Sequence, residues 1–324
     1  MDGVLVVDKP VGPTSHDIVA RARRALGERR IGHTGTLDPG ASGLLALVLG
    51  KATRLARFLS ASDKSYDAVI RLGFSTDTAD AQGTATGPVY SGVLPTRDEV
   101  EHALDAFRGA FLQQPPAYSA KKVGGRRSYT LARAASRAGG SGARNVPPDA
   151  GDPTPSPLEP AAVTVTALTL LGVEGDLVSV RVDCSAGFYV RSLAHDVGAR
   201  LGIGGHLAAL RRTRSGDYAL AQAVSADALE RDPASALAGL VPLSQMLPRL
   251  ASVVLTAQGT KHALHGRTLE PADLASALGP GRATTSGAGD EAAWVRLITE
   301  QGELLGLAQP TTGPGLLHPS VVLM

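Results

Sequence analysis

Short apolar runs separated by polar residues mark the first part of the chain. Residues 4–7 are all apolar and stop at an Asp-Lys-Pro sequence, which is typical of a short buried strand. Apolar side chains then recur at helical spacing over about 15–26, and Gly27 ends this predicted helix. A second apolar run at 44–49 predicts another buried element, and the spacing over 51–59 is again helical.

The middle of the chain carries both periodicities. Alternating apolar and polar residues predict a strand at 65–72. Two further alternating runs, 163–171 and 177–184, predict a hairpin around a Glu-Gly-Asp turn. Two helices are also predicted. The first covers 96–107 and begins with a Thr-x-x-Glu capping box, and the second carries apolar residues every four positions over 193–201.

The last part of the chain changes pattern twice. Residues 220–250 are predicted to be mostly helical, with proline interruptions. A new pattern then begins, with a helix at 256–265 and a hairpin about Gln301-Gly302. We therefore divide the chain into a large domain at 1–248 and a small α+β domain at 249–324.

Two stretches of the large domain lack a regular pattern. Residues 113–135 begin extended and become basic and glycine-containing, so we predict a thumb-like basic loop. Residues 136–160 are rich in Gly, Pro, Ala and Ser and carry little apolar bulk, which predicts a flexible surface insertion.

Composition adds a hint about the binding partner. Only six of the 32 basic residues are lysine, so arginine dominates, and its planar fork suits phosphate. The bases cluster at 21–30, 121–133 and 211–214 although the net charge is only +2. These clusters indicate a positive face and a polyanionic partner, with ordinary solvated helix faces as the alternative.

The cysteine content and the length of the apolar runs indicate the cellular compartment. The one cysteine, Cys184, allows no disulfide within the chain, and no apolar run approaches the ~20 residues of a membrane span. The first residues lack the basic-then-apolar pattern of a signal peptide. We therefore expect a cytoplasmic protein that does not bind membranes.

The stretch 32–43 is the strongest candidate for chemistry. Four of its twelve residues are glycine and one is proline, so it is predicted to be a loop. It carries His33 and a single carboxylate, Asp38, without the spacing of a metal site, a phosphate-binding loop or a catalytic triad. From spacing alone, a simple turn is the alternative to a catalytic loop.

Six motifs together favour the catalytic loop over the simple turn. They are LVVDKP at 5–10, GHTGTLDP at 32–39, SDKSY at 62–66, TDTAD at 76–80, QPPAYSAK at 114–121 and CSAGFYVRSL at 184–193. In this order and spacing, the chain resembles the bacterial tRNA pseudouridine-55 synthases over about residues 3–217. The remainder is similar to their small RNA-binding PUA-like domain. The insertion at 136–160 is longer than this family leads us to expect, and Phe188 stands where a threonine is expected.

The resemblance implies an α+β fold with a mixed, largely antiparallel sheet, flanking helices and a C-terminal PUA-like domain. It also implies an isomerase that needs no cofactor or metal and converts a uridine in the T-loop of tRNA to pseudouridine. Asp38 matches the catalytic aspartate, a nucleophile at the ribose C1′ or at uracil C6. Arg191 matches its ion-pair partner, with a surface charge as the alternative. Tyr66 matches an active-site tyrosine that stacks on the uracil or takes the ribose 2′ proton, with a core aromatic as the alternative.

The remaining expectations concern RNA binding. The target base lies inside a folded loop, so the enzyme is expected to flip it out, with Tyr189 lining the pocket and His33 filling the vacated position. Lys9, Lys121 and Arg126 are expected to hold phosphates, and the basic loop to close as a lid over the T-arm of a tRNA bound by a monomer. Two other classes stay open, namely an RNA-binding module without catalysis and a hydrolase that releases uracil.

Overall fold

A computed structural model describes residues 1–116, 159–276 and 294–323, together with the backbone of 122–123 and 126–127. The chain divides into two compact units. We call Met1–Gly35, Leu44–Ser60 and Asp217–Met324 the terminal unit, and Thr36–Gly43 and Ala61–Gly216 the central unit. No helix of the described residues is long and apolar enough to cross a membrane.

Strands supply most of the regular structure. In chain order the described strands are β1 (Gly3–Lys9), β2 (Ile31–His33), β3 (Ala41–Leu49), β4 (Lys64–Leu72), β5 (Ser75–Thr76), β6 (Ala85–Thr86), β7 (Gly109–Gln113), β8 (Lys122–Val123), β9 (Arg126–Arg127), β10 (Ala161–Glu174), β11 (Leu177–Cys184), β12 (Gly205–Ser215), β13 (Tyr218–Ala219), β14 (Val224–Ser225), β15 (Val241–Pro242), β16 (Ala251–Leu255), β17 (Val295–Thr299), β18 (Leu304–Pro310) and β19 (Leu317–Val322). The described α-helices are α1 (Ser15–Leu26), α2 (Ala56–Ser60), α3 (Arg97–Asp105), α4 (Val190–Arg200), α5 (Ala226–Arg231), α6 (Pro233–Leu237) and α7 (Ala257–Leu264).

The central unit is built on one sheet with the order β12-β4-β11-β10-β7, in which every neighbouring pair is antiparallel. Residues 41–43 at the start of β3 add a parallel pairing to β12. The sheet is therefore mixed but largely antiparallel, and the predicted fold class is confirmed. Apolar residues of β4, β10 and β11 form one core with α3 and α4, because alternate strand residues point to the same face.

The terminal unit contains two strand groups. The first joins β14, β1 and β3, with β15 paired to β1 and β2 paired to β3. The second is the four-stranded sheet β16-β17-β18-β19. This sheet and α7 give the described residues after 248 the small α+β arrangement that was predicted, while the domain boundary at 248 stays a prediction.

Helix ends follow the capping signals in the sequence. The Thr14 side chain accepts a hydrogen bond from the Asp17 amide, and the Asp17 carboxylate accepts one from the Thr14 amide. Thr96 and Glu99 form the same reciprocal box at α3. Gly27 has the left-handed φ of 65° that closes α1, so both predicted helices begin with the expected capping box and α1 also ends at the expected glycine.

Residues 220–250 are helical in short pieces, namely α5, α6 and the 3-10 helices Leu220–Gln222 and Leu243–Gln245, separated by two-residue strands and turns. One prediction from the pattern needs correction, and one strand was not predicted. The stretch 32–43 is not a loop throughout, because β2 includes its start and β3 its end, so the loop proper is 34–40. The pattern did not predict β12, although this strand pairs along almost its whole length with β4. The predicted hairpins β10–β11 and β17–β18 are confirmed.

Candidate active site

Asp38 projects from the loop between β2 and β3. The neighbouring Leu37 is only 3% exposed and anchors the loop, whereas the Asp38 side chain is 46% exposed. The Asp38 carbonyl accepts a hydrogen bond from the Ala41 amide at 3.0 Å, which closes a turn as β3 begins. A buried leucine and a turn on either side therefore present the carboxylate to solvent without leaving it on a long loop.

Arg191 reaches Asp38 from the first turn of α4. Its Nε lies 3.2 Å from Asp38 Oδ2, and its side chain is only 10% exposed. A cation at a helix start is disfavoured by the helix dipole, so its partners must offset that cost. Nη1 donates to the Thr78 carbonyl oxygen at 3.2 Å and lies 3.8 Å from Asp80 Oδ2.

Asp80 forms the far side of this network. Its Oδ1 accepts hydrogen bonds from the Thr78 hydroxyl at 2.6 Å and the Gln82 amide at 3.0 Å. The turn that carries it is bound to β12, since the Ala81 amide donates to the Leu207 carbonyl at 2.9 Å and the Leu207 amide to Ala79 at 3.0 Å. Because both ends are held, Asp80 faces Arg191 in a fixed position.

A small cavity lies beside these charges. Its volume is about 40 Å³, and it is lined by Asp38, Asp80, Arg191 and the β12 segment 207–210. A buried water needs roughly 10–15 Å³, so the cavity holds a few water molecules at most. A nucleobase would enter only if some of these side chains moved.

Tyr66 lies on β4, with 7% of its surface exposed. Its cross-strand partner on β12 is Arg212, which is 2% exposed and whose guanidinium hydrogen-bonds the Tyr66 side chain. Burial raises the pKa of the Tyr66 phenol, and the weaker effect of the Arg212 charge opposes that shift. Tyr66 is therefore a neutral phenol at neutral pH.

Gly43 explains how the strands approach each other here. It pairs with Arg212, has a left-handed φ of 99°, and a Cβ at this position would lie 2.3 Å from the Arg212 carbonyl oxygen. Only glycine fits so close to the neighbouring backbone, which gives the glycine-rich motif a structural reason.

Tyr189 is half-buried at the N-cap of α4. Its amide donates to Gln113 Oε1 at 2.8 Å, and its carbonyl oxygen accepts from Gln113 Nε2 at 3.0 Å. The structure thus brings Asp38, Arg191, Tyr66 and Tyr189 into the central unit.

The predicted RNA contacts are distributed differently. His33 belongs to the terminal unit, where the Gly35 amide donates to its Nδ1 at 3.4 Å and its ring lies edge-on to His16. Lys9 is fully buried, and its Nζ donates to the Pro10 carbonyl at 2.9 Å. Lys121 and most of the predicted basic loop and insertion lie outside the described residues, and Arg126 is described only by its backbone in β9.

One basic cluster differs from the prediction of an exposed face. Arg212 is buried, and Arg214 donates to the Ser65 hydroxyl at 2.9 Å and lies 3.5 Å from Asp183. These two arginines therefore contact residues of neighbouring strands instead of forming an exposed basic face. Sequence reasoning also assigned no role to Asp80, although the TDTAD motif was the signal that could have found it.

Solved structures define the class of fold. The chain is similar to a Cbf5-Nop10-Gar1 complex, with 26% identity, a TM-score of 0.70, and coverage of 99% of this chain and 85% of that one. An H/ACA RNP bound to a substrate RNA containing 2'-deoxyuridine gives 24% identity, a TM-score of 0.69 and the same coverage. Residues 23–144 match the model described as TruB family pseudouridylate synthase (N terminal domain). The class is therefore that of the pseudouridylate synthases.

Further matches identify the family. Residues 191–247 match the tRNA pseudouridylate synthase B C-terminal domain. The tRNA pseudouridine synthase B of Solibacter usitatus is 41% identical over 100% of both chains, and that of Dechloromonas aromatica is 38% identical over 98% of this chain and 94% of the other. The chain belongs to the TruB family of tRNA pseudouridine synthases. The predicted resemblance and enzyme class, an isomerase acting on uridine in tRNA, are confirmed.

Proposed function

We propose that the enzyme isomerises uridine 55 in the T-loop of tRNA and that Asp38 is its nucleophile. The observation that carries this proposal is the pairing of a half-exposed Asp38 carboxylate with a buried Arg191 at 3.2 Å beside a cavity. A carboxylate is the nucleophilic form of an aspartate side chain, and the guanidinium beside it holds that carboxylate in place. Because the arginine is buried and held by further acceptors, it also fixes the direction of the carboxylate.

The bonds and protons of this isomerisation are all accounted for by the uridine and Asp38, without a cofactor. In attack at C1′, an Asp38 oxygen bonds to C1′ as the C1′–N1 bond breaks, and the bonding pair leaves with N1 on the uracil. The base then turns, C5 bonds to C1′, and the bond to Asp38 breaks. Loss of the C5 proton and protonation of N1 complete an isomerisation. Attack at C6 uses the same carboxylate, which is also released unchanged at the end.

Arg191 and Asp80 act as a unit in this proposal. Arg191 sits between two carboxylates, with its Nε toward Asp38 and its Nη1 toward Asp80. Asp80 and the Thr78 carbonyl hold one edge of the guanidinium, so the other edge stays directed at Asp38 when solvent is displaced by RNA.

Tyr66 is proposed to stack on the target uracil. Its hydroxyl is engaged by Arg212, and burial raises its pKa, so at neutral pH its ring is neutral and held in place. In an elimination route the same hydroxyl would take the ribose 2′ proton, but only after losing its own proton. The raised pKa therefore favours stacking as its main role.

Base flipping remains part of the proposal because the reacting atoms of a base in a folded T-loop are not accessible. Tyr189 would line the pocket, and His33 would fill the vacated position. Lys121 and Arg126 would hold phosphates of the T-arm. Lys9 has no part in phosphate binding in this proposal, because a fully buried ammonium cannot reach a phosphate in this conformation. We further propose a cytoplasmic monomer with domains at 1–248 and 249–324.

The test is pseudouridine formation in an unmodified tRNA transcript, read by carbodiimide-dependent primer stops. We expect one stop in the T-loop with the wild-type enzyme and none with Asp38→Asn, while filter binding gives similar tRNA affinities. Asp176→Asn is the control, because Asp176 pairs with Arg71 in the same unit at an exposed site. Full conversion by Asp38→Asn would remove the nucleophile assignment.

The same assay separates the other classes. An RNA-binding module would bind the transcript and give no stop with the wild type. A hydrolase would release free uracil, which chromatography of the reaction detects. A stop elsewhere in the tRNA would overturn the position but keep the reaction.

A further inference from the structure

Gln113 makes two hydrogen bonds to the backbone of a single residue. It is the last residue of β7 and is only 2% exposed. Its carboxamide oxygen accepts from the Tyr189 amide at 2.8 Å, and its carboxamide nitrogen donates to the Tyr189 carbonyl at 3.0 Å. One planar side chain thus satisfies both polar groups of Tyr189, so the orientation of that residue's backbone is fixed and not merely its distance.

Tyr189 is also the place where α4 begins. As N-cap it forms no side-chain cap, and the first turn of α4 carries no acidic residue. The next contact comes from Ser192, whose hydroxyl donates to the Gln114 carbonyl at 2.8 Å. The last residue of β7 and the residue after it therefore hold the first turn of α4, Gln113 at the cap and Gln114 at Ser192.

Arg191 lies between these two attachment points. It is the second residue after the cap, and its guanidinium must reach Asp38, Thr78 and Asp80 together. A rotation of the first turn would move the guanidinium away from all three partners. We propose that Gln113 is a positioning residue that directs Arg191 toward Asp38 by clamping the Tyr189 backbone. This inference rests on the proposed roles of Asp38 and Arg191.

The donor and acceptor of Gln113 allow a specific test. In Gln113→Glu the ionised side chain has no donor and places a negative charge against the Tyr189 carbonyl oxygen. When it is protonated, the carboxylic acid again offers one donor and one acceptor with nearly the shape of the amide. Burial raises the pKa of such a carboxyl group, so its change from the ionised to the protonated form falls within a pH range that the assay can cover. Gln113→Met keeps the length of the side chain and offers no comparable switch.

The experiment measures single-turnover pseudouridine formation with excess enzyme from pH 5 to pH 8, as a ratio to wild type at each pH. At pH 8 we expect both variants to be slower by about 100-fold, the size of effect that a misplacement of about 1 Å produces. At low pH the Gln113→Glu ratio should return to within a few-fold of wild type, while the Gln113→Met ratio stays low. The Kd for tRNA should change by less than about 3-fold, because the clamp acts on the reacting groups.

Controls separate this inference from the proposed function. Gln301→Glu adds a charge at an exposed turn and should give a ratio near one at every pH. A wild-type rate in Gln113→Met, or equal ratios for Glu and Met at every pH, would overturn the positioning role. If Gln113→Glu does not fold at pH 8, the Met variant still decides. Turnover by Asp38→Asn would instead refute the proposed function, whatever the Gln113 variants do.

Discussion

Arg191 and Asp38 form an ion pair whose two members differ in exposure. The Nε of Arg191 lies 3.2 Å from Asp38 Oδ2, yet the arginine side chain is 10% exposed and the aspartate side chain 46%. The cation is therefore part of the packed unit, while the carboxylate remains available to a substrate. This asymmetry is what a nucleophile needs, because its partner holds it without covering it.

Arg191→Lys should lower the rate of pseudouridine formation by about 100-fold, although the charge is kept. A lysine ammonium is a point charge that cannot contact Asp38, Asp80 and the Thr78 carbonyl with separate donors. Arg191→Met should lose more, because two carboxylates then face each other without a cation. Single-turnover assays measure the rate, and filter binding with the same transcript measures affinity. A lysine variant at the wild-type rate would show that only the charge matters.

Asp80→Asn should slow the reaction by about 10-fold, a smaller effect than that of Asp38→Asn. The asparagine oxygen can still accept from Thr78 and Gln82, so the turn keeps its shape. The charge that holds the far edge of Arg191 is lost, which is worth roughly 1–2 kcal/mol for a partly buried pair. The same single-turnover assay applies, with Asp176→Asn as the matched control. An unchanged rate would show that the Asp80 charge is not needed to hold Arg191.

Most of the fold could be predicted from the sequence because its signals are local. The capping boxes at α1 and α3, the β10–β11 hairpin and the strand β4 each follow from a short pattern of residue types. The strand β12 could not be predicted, because its apolar start and its Arg-Arg-Thr-Arg end do not alternate regularly. Its Arg212 is buried because β4 and β3 lie on either side of it. Such burial depends on long-range pairing, which no local pattern contains.

In the candidate site, too, some residues could be identified from the sequence and others only from long-range contacts. Asp38, Tyr66 and Arg191 were identified by resemblance, and the structure places them in one unit. The contacts that support them come from residues that are distant in sequence, such as Gln113 with Tyr189 and Arg212 with Tyr66. A glutamine at a strand end carries no signal for such a role. Only the three-dimensional contact shows which backbone it clamps.

Gly43→Ala should destabilise the central unit by about 3 kcal/mol. Its φ of 99° is unfavourable for alanine, and the added Cβ would lie 2.3 Å from the backbone oxygen of Arg212. Urea unfolding measures the change in free energy. Gly172→Ala in β10 is the control, since its Cβ would meet nothing within 4 Å, and we expect a change below about 1 kcal/mol. Equal effects of the two substitutions would mean that the Gly43–Arg212 approach does not limit stability.

Lys64 gives the central unit a pH dependence that can be measured. Burial lowers the pKa of Lys64 to about 8 from the ordinary 10.5, and the nearby Arg212 charge acts in the same direction. Between these values the unfolded chain binds more protons than the folded one. The free energy of unfolding therefore rises with pH across this range, by about 1 kcal/mol from pH 8 to pH 9. Below pH 8 Lys64 is charged in both states, so its burial lowers the free energy of unfolding by an amount that no longer changes with pH.

Lys64→Met should remove that rise. Unfolding of wild type and variant in urea at pH 8 and pH 9 gives the difference between the two slopes. Burial also raises the pKa of the Cys184 thiol to about 12, so the folded state keeps a proton that the unfolded state loses above about pH 9. That effect lowers stability as pH rises, but both proteins share it and it cancels in the comparison. If the wild type and Lys64→Met changed equally between the two pH values, Lys64 would be charged in the folded protein throughout, and the cluster around it would have to solvate that charge.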